Sequence, residues 1–186
     1  MTNTYNGNPI SRLKQVKLFQ LFTIALRYLL GSSFVFASIF KIQGIRFTPE
    51  SAENKPVNSS EHFFEVLYQS GFYWNFIGWG QLIVGFLLMS QIYSTIGAVA
   101  FFPIMLNIFV ITISFDSTNI LIVTFLMLLS TVYLLIWDWN KLKFITLSDP
   151  QHYIDDNDEF SKRKIWTYLG FILFVMVIFI RKVILV

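Results

Sequence analysis

Long apolar runs separated by short polar segments dominate the chain. Crossing about 30 Å of hydrocarbon takes about 20 helical residues, and five of the runs approach or exceed that length. Helices are expected because lipid offers the backbone no hydrogen-bond partners, and the runs are too long and continuous for barrel strands. The pattern predicts transmembrane helices over Leu18–Phe40, Phe72–Ser90, Ile92–Ser114, Asn119–Trp137 and Ile165–Ile180, the last of which can extend to Val186.

Polar and small residues recur at helical spacing in the first four runs. In lipid such residues mark faces between helices, since lipid-facing positions gain nothing from them. The stripes are Arg27, Gly31, Phe34, Ser38 and Lys41; Asn75, Gly78, Gln81 and Gly85; Gly97, Ala100, Ile104, Asn107, Ile111 and Ser114; and Thr124, Thr131 and Asp138. The fifth run carries no stripe. We therefore predict an all-α integral membrane four-helix bundle with one additional, peripheral C-terminal transmembrane helix.

The polar segments divide the chain into four parts. We expect residues 1–17 to form a cytoplasmic basic segment beside the membrane, 18–137 the four-helix transmembrane unit with an outer loop over 41–71, 138–164 a polar cytoplasmic linker, and 165–186 the fifth transmembrane helix. The connections SQIY and FDST are so short that the helices they join must be antiparallel neighbours.

The outer loop contains NSSEHFFEVLYQSG, which is typical of a short amphipathic helix. We expect Asn58 or Ser60 to cap this helix and Gly71 to end it. Its apolar side chains would then lie on the membrane interface or over the mouth of the bundle.

Lysine and arginine are distributed unevenly between the two sides of the membrane. With the N-terminus inside, eight lie on the cytoplasmic side and five outside. The inner set is Arg12, Lys14, Lys17, Lys141, Lys143, Lys162, Arg163 and Lys164, and the outer set is Lys41, Arg46, Lys55, Arg181 and Lys182. This excess favours a cytoplasmic N-terminus and an outer C-terminus. A last helix that does not fully cross is the alternative.

Composition excludes several classes of function. Only 13% of the residues are charged, which argues for a bilayer as the solvent, so the net charge of +3 indicates a membrane surface rather than nucleic acid as the partner. The chain has no cysteine, which excludes disulfides, thiol relays and thiolate metal sites. Its two histidines lie outside the apolar runs, so a haem held by two histidines is excluded as well.

Arg27 is the sharpest feature, because it lies about 13 Å into the first run. A lipid-facing arginine at that depth costs at least ~2.5 kcal/mol, so we expect it to face inward or to snorkel. It could anchor an anion or ligand within the bundle. Alternatively it is structural, bonded to helix-end carbonyls or reaching the cytoplasmic headgroups.

Gln81 and Asn107 are neutral polar residues inside predicted spans. They are candidates for binding a carbonyl, such as that of a quinone, and the alternative is interhelical hydrogen bonding worth about 1 kcal/mol each.

Five further residues are structural or interfacial candidates: Gly31, Ser38, Lys41, Asp116 and Asp138. Gly31 and Ser38 allow close packing. Asp116 could neutralise Lys41, and Asp138 could neutralise the basic residues near the membrane. We expect both acids to be helix-end residues in the headgroup layer.

Catalytic and metal motifs are missing from the sequence. The acidic run IDDNDEF over 154–160 invites a calcium interpretation but lacks the glycine and the distal glutamate of an EF-hand loop, so a solvated face is expected. No nucleophile–base–orienter arrangement, phosphate loop or metal-ligand spacing appears, so we expect no metal and no catalytic residue in this chain.

Four stretches resemble the DoxX-like family of small bacterial membrane proteins: LRYLLGSSFVFASIFK, GWGQLIVGFLLM, LNIFVITISF and YLLIWDWNKLK. The resemblance covers about residues 20–145 and leaves the last run outside. It implies a four-helix unit in a bacterial inner membrane, with Arg27, Gly31, Ser38 and Lys41 matching the family's first-helix pattern. Many relatives have glutamate where this chain has Gln81, so an arginine–acid site at that position is not expected here.

The resemblance implies links to quinone-coupled sulfur oxidation and to membrane assemblies of redox-stress proteins. With the missing catalytic groups and the unstriped fifth helix, it leaves three functional hypotheses. The first is a non-catalytic subunit or assembly partner of a larger inner-membrane complex. The second is a quinone- or lipid-binding component of a membrane oxidoreductase, with Arg27, Gln81 and Asn107 lining the site and the redox centre on a partner. The third and weakest is a small-solute transporter. The expected partners are the bilayer and either other membrane proteins or further copies of this chain.

Overall fold

The computed structural model describes residues 13–46, 50–115, 118–146 and 164–184; for residues 118, 119, 144–146 and 181–184 it describes the backbone alone. Every regular element in these ranges is an α-helix. The helices are α1 (Lys17–Ile42), α2 (Ser60–Gln69), α3 (Phe72–Met89), α4 (Ser94–Ser114), α5 (Thr118–Trp137), α6 (Trp139–Thr146) and α7 (Lys164–Ile184). The all-α prediction is confirmed for this part of the chain.

Four helices, α1, α3, α4 and α5, are long and apolar enough to cross a membrane. Their ends lie within two residues of the first four predicted spans. The apolar stretch of α7, Lys164–Ile180, is shorter, and the fifth crossing stays a prediction. The predicted linker over 138–164 begins with a helix, because α6 follows α5 after a single residue.

Helices α1 and α3 approach closely because glycines lie where they meet. A Cβ atom at Gly31 would be 2.9 Å from the carbonyl oxygen of Gly85, and a Cβ atom at Gly85 would be 2.8 Å from that of Gly31. Farther along, a Cβ atom at Gly78 would be 2.8 Å from the Cβ atom of Lys41. Real Cβ atoms do not come this near, so the interface depends on glycine, as in other close pairs of membrane helices.

The interior of the bundle is packed with apolar side chains from α1, α3, α4 and α5. Phe34 and Phe101 stack at its centre with 3.9 Å between ring centroids. The predicted inward stripes of α1 and α5 are confirmed, since all their members are buried, and in α3 only Asn75 is half-buried. The predicted stripe of α4 is partly wrong, because Gly97 is buried whereas Asn107 and Ser114 are exposed.

Helix α7 packs on the outside of α1 and α3. The Tyr28 hydroxyl donates to the carbonyl oxygen of Trp166 at 2.6 Å. A Cβ atom at Gly170 would be 2.0 Å from the carbonyl oxygen of Met89, so a glycine is needed there for the two helices to touch. The other side chains described on this helix are exposed or half-buried, in agreement with a peripheral position.

The segment between α1 and α3 is held at one end of the bundle, called here the α2 end. Ser59 caps α2 by accepting a hydrogen bond from the His62 amide at 3.2 Å, so the predicted caps, Asn58 and Ser60, were each wrong by one residue. The Phe63 ring lies 5.2 Å from that of Phe115, which places α2 over the bundle mouth. The opposite end, where α3 turns into α4, is called the Arg27 end.

Candidate functional site

An ion pair between Arg27 and Asp138 is the centre of the candidate site. Helix α1 carries Arg27 ten residues past its start, and Asp138 is the residue between α5 and α6. The Nη2 atom of Arg27 lies 2.9 Å from Oδ2 of Asp138. Each residue is only 1% exposed. The pair therefore links α1 to the end of α5 through two residues that are 111 positions apart in the chain.

Three further side chains surround this pair. Gln91, in the turn between α3 and α4, accepts a hydrogen bond from Nη1 of Arg27 at 3.1 Å. The Thr95 hydroxyl donates to Oδ2 of Asp138 at 2.9 Å, and Nζ of Lys141 lies 3.0 Å from Oδ1. Every helix of the four-helix unit therefore contributes to the network directly or through an adjoining turn.

The backbone at Gln91 is in the left-handed region, with φ of +60°. Such a conformation is uncommon for residues other than glycine and persists where the surroundings stabilise it. Here it occurs in the short turn that brings α4 alongside α3, and the Gln91 side chain reaches Arg27 from that turn. Sequence reasoning missed both Gln91 and Thr95, although their position in and after the very short SQIY connection was a usable signal.

Asp138 follows the last residue of α5, so the prediction of a helix-end residue is confirmed, while its place in the headgroup layer stays a prediction. Its carboxylate is buried within the protein, where the Arg27 guanidinium and the Thr95 hydroxyl both lie against it. Neutralisation by a nearby basic residue is confirmed for Lys141. For Arg27, the partner that the sequence did not reveal is this acid.

Polar contacts continue from the ion pair along the first part of α1. The Thr23 hydroxyl lies 3.1 Å from that of Tyr133, and Gln20 donates from Nε2 to the backbone carbonyl of Lys14. The ammonium of Lys14 lies 5.9 Å from the ring centroid of Trp137. These contacts attach the start of α1 to the end of α5 and close the Arg27 end around the ion pair.

Gln81 lies in the interior but away from Arg27. It is 4% exposed, and its Oε1 atom has no hydrogen-bond partner among the described residues. Arg27 meets the turn that follows Met89, which lies eight residues, or about 12 Å, along α3 from Gln81. The two side chains therefore do not form one site.

Asn107 is exposed on the outer face of α4, so the prediction that it lines the interior is wrong. Both faces of this helix are apolar, and α4 buries the face that holds Ala98, Phe101 and Met105 instead. Of the three residues predicted to line a ligand site, the structure brings none together with another.

Three of the remaining predicted residues, Gly31, Ser38 and Lys41, make contacts within the fold. Gly31 and Ser38 are buried in the interface of α1, where the Ser38 hydroxyl donates to the Val35 carbonyl. Lys41 donates from Nζ to the Ala37 carbonyl at 3.2 Å and lies 5.0 Å from the ring centroid of Trp74. Asp116, its predicted partner, and the acidic run over 154–160 lie outside the described residues.

A second ion pair holds the segment at the α2 end. Glu65 is buried and accepts hydrogen bonds from Nε of Arg46 at 3.0 Å and from the amide of Ala52 at 3.2 Å. Burial raises the pKa of the Glu65 carboxyl, but the Ala52 hydrogen bond and the Arg46 guanidinium lower it more, so this pKa lies below its ordinary value. Sequence reasoning did not single out either partner.

A cavity of about 60 Å³ lies between α3 and α7, lined by Phe86, Met89, Ser90, Thr167, Gly170 and Phe171. It has space for a water molecule or two, whereas drug-sized ligands occupy several hundred Å³. Among the residues described, no group of three or more histidine, aspartate or glutamate side chains is placed to hold a metal ion.

Comparisons of the chain with protein-family models, with curated proteins and with solved structures find no match. The resemblance to the DoxX-like family therefore rests on the quoted stretches alone and has no support from these comparisons.

Proposed function

We propose that the protein is a non-catalytic integral membrane subunit or assembly partner of a larger inner-membrane complex, built on a DoxX-like four-helix unit. The observation that carries the proposal is the pairing of Arg27 with Asp138 inside the chain. A charge that is already neutralised and buried contributes to holding helices together and is not available as an anchor for an anionic ligand. Several other buried hydroxyls in the spans, such as those of Thr124 and Thr131, donate to carbonyl groups of their own helices.

The outward face of α7 is the surface that we assign to a partner subunit. Helix α7 touches the bundle near Gly170, while Met176 and Phe179 farther along are exposed. In the proposed topology the N-terminus is cytoplasmic and α7 is a fifth crossing, so this face is presented to the plane of the membrane along most of its depth.

Native co-purification in mild detergent tests the proposal. A tagged full-length chain should recover the same membrane protein repeatedly. Replacing Met176 and Phe179 by alanine should reduce that recovery, because these side chains form part of the proposed contact with the partner. Both are exposed, so their replacement should leave the fold intact. Ile122→Ala together with Phe125→Ala, on the exposed face of α5, is the matched control and should not change it. Repeated recovery of the chain without another membrane protein would contradict the proposal.

The second candidate function is a quinone- or lipid-binding component of a membrane oxidoreductase. The unpartnered Oε1 atom of Gln81 favours it, because a buried acceptor without a donor is costly and a quinol hydroxyl can supply one. Solvent extraction and mass spectrometry of the purified protein should then detect a quinone that is lost in Gln81→Leu and retained in the surface variant Lys143→Met. An unchanged quinone content in Gln81→Leu contradicts this candidate.

A further inference from the structure

Asn107 is a polar side chain on the outside of a membrane-spanning helix. It lies seven residues before Ser114, the end of α4, and so about 10 Å inside that end of the span. The exposed residues around it, including Leu106 and Val110, are mostly apolar. An amide that faces hydrocarbon has no hydrogen-bond partner there, which makes its exposure in a single chain unfavourable.

We propose that this face of α4 is the interface between two copies of the chain. The face consists of Val99, Pro103, Leu106, Asn107, Val110 and Ser114, all of which are exposed. The inference does not depend on the proposed function, because the surface assigned to another subunit lies on α7.

The geometry of a membrane selects a second copy as the occupant. Two copies in one bilayer have the same topology, so a two-fold axis along the membrane normal places their Asn107 residues at the same depth. An amide carries both a carbonyl acceptor and N–H donors, and two amides facing each other across the axis are electrostatically complementary. Each therefore supplies the partner that the other lacks in lipid.

The shape of the face is compatible with close approach. Pro103, Asn107, Val110 and Ser114 follow one another at intervals of four, three and four residues, which places them on one side of the helix. None has a long side chain, and the Ser114 hydroxyl donates to the Val110 carbonyl, so it brings no unpaired donor to the contact. Asn107 is then the polar residue that sets the register, a role that single asparagines have in helix pairs.

Cysteine crosslinking of the full-length chain in its membrane tests the proposal, and the absence of native cysteine removes any background. Oxidation of Val110→Cys should give a disulfide-linked dimer. The matched control is Ile122→Cys on α5, since Ile122 is 60% exposed and Val110 is 53% exposed, and this variant should stay monomeric. Adding Asn107→Leu to Val110→Cys should lower the yield of crosslinked dimer, as expected for an association constant reduced about tenfold. Adding Asn107→Gln instead should preserve the yield, because glutamine keeps the amide.

Two results would overturn the proposal. One is equal crosslinking of Val110→Cys and Ile122→Cys, which indicates random collision. The other is an unchanged dimer yield from Val110→Cys when Asn107→Leu is added, with the melting curve showing that the variant is folded. Co-purification of a partner through α7 is a separate experiment. A negative crosslinking result would therefore leave the proposed function unaffected, and a negative co-purification result would leave the proposed dimer unaffected.

Discussion

Arg27 and Asp138 show how the environment of a residue, rather than its type, decides its role. Two charges removed from water gain from each other only if their geometry is good and their remaining donors and acceptors are satisfied. Here Asp138 accepts from Arg27, Thr95 and Lys141, and Gln91 accepts from the other end of the guanidinium. The intramembrane arginine is thus explained by helix–helix attachment.

Removing one member of the pair should be far more harmful than removing both. Arg27→Met leaves the Asp138 carboxylate buried without the guanidinium that pairs with it. We therefore expect a loss of about 3–5 kcal/mol in the free energy of unfolding. The double variant Arg27→Met with Asp138→Leu should recover most of that loss, because an apolar pair needs no partner. Unfolding in mixed micelles, followed by tryptophan fluorescence, measures both.

Lys143→Met is the control for these variants, since Lys143 is an exposed cation on α6. Its free energy of unfolding should stay within about 0.5 kcal/mol of the native value. If Arg27→Met costs no more than Lys143→Met, the ion pair does not stabilise the fold.

At the scale of the helices, the contact between α1 and α3 depends on backbone-to-backbone approach. Without a hydrophobic driving force between helices in lipid, close van der Waals packing is the main attraction, and glycine allows the shortest distance. Gly31 and Gly85 face each other across this contact. Close packing at a glycine also brings α7 against the bundle, since Gly170 lies against the end of α3.

Gly85→Ala and Gly80→Ala form a matched pair on α3. The new Cβ atom at Gly85 would lie 2.8 Å from a backbone oxygen, which cannot move aside, so α1 and α3 must separate at a cost of about 1–3 kcal/mol. At Gly80 nothing lies within 4 Å, and alanine should stabilise the helix by up to about 1 kcal/mol. In thermal unfolding in detergent, the melting temperature should fall for Gly85→Ala and rise for Gly80→Ala. A shift in the same direction for both variants would mean that the close contact at Gly85 does not determine the stability of the α1–α3 interface.

For the whole molecule, the distribution of apolar side chains reflects the solvent. Helices α4, α5 and α7 expose leucine, isoleucine, valine and phenylalanine along their outer faces. In water so large an apolar surface would cause aggregation, whereas lipid solvates it. Most of the polar groups described in the spans lie inside the bundle or at its ends. Among the exposed exceptions, the Ser33 hydroxyl bonds to its own helix, whereas Asn107 presents an amide.

The proposed topology predicts which positions face which side of the membrane. In single-cysteine variants of intact cells, an impermeant maleimide should label Lys55→Cys without permeabilisation and Lys143→Cys only after it. Val186→Cys, which lies outside the described residues, should behave like Lys55→Cys because α7 is proposed to cross. Labelling of Val186→Cys that matches Lys143→Cys instead would mean that α7 returns to the same side.

The sequence by itself determined the helical class, the positions of four spans and the inward faces of α1, α3 and α5. It did so because lipid forces the backbone into helices and makes polar or glycine-rich stripes readable as interfaces. Only the tertiary structure decided that Arg27 meets Asp138, because a contact across 111 residues leaves no periodic signal in the chain. It also decided that Asn107 faces outward, since a helix with two apolar faces carries no hydrophobic pattern that tells lipid from core.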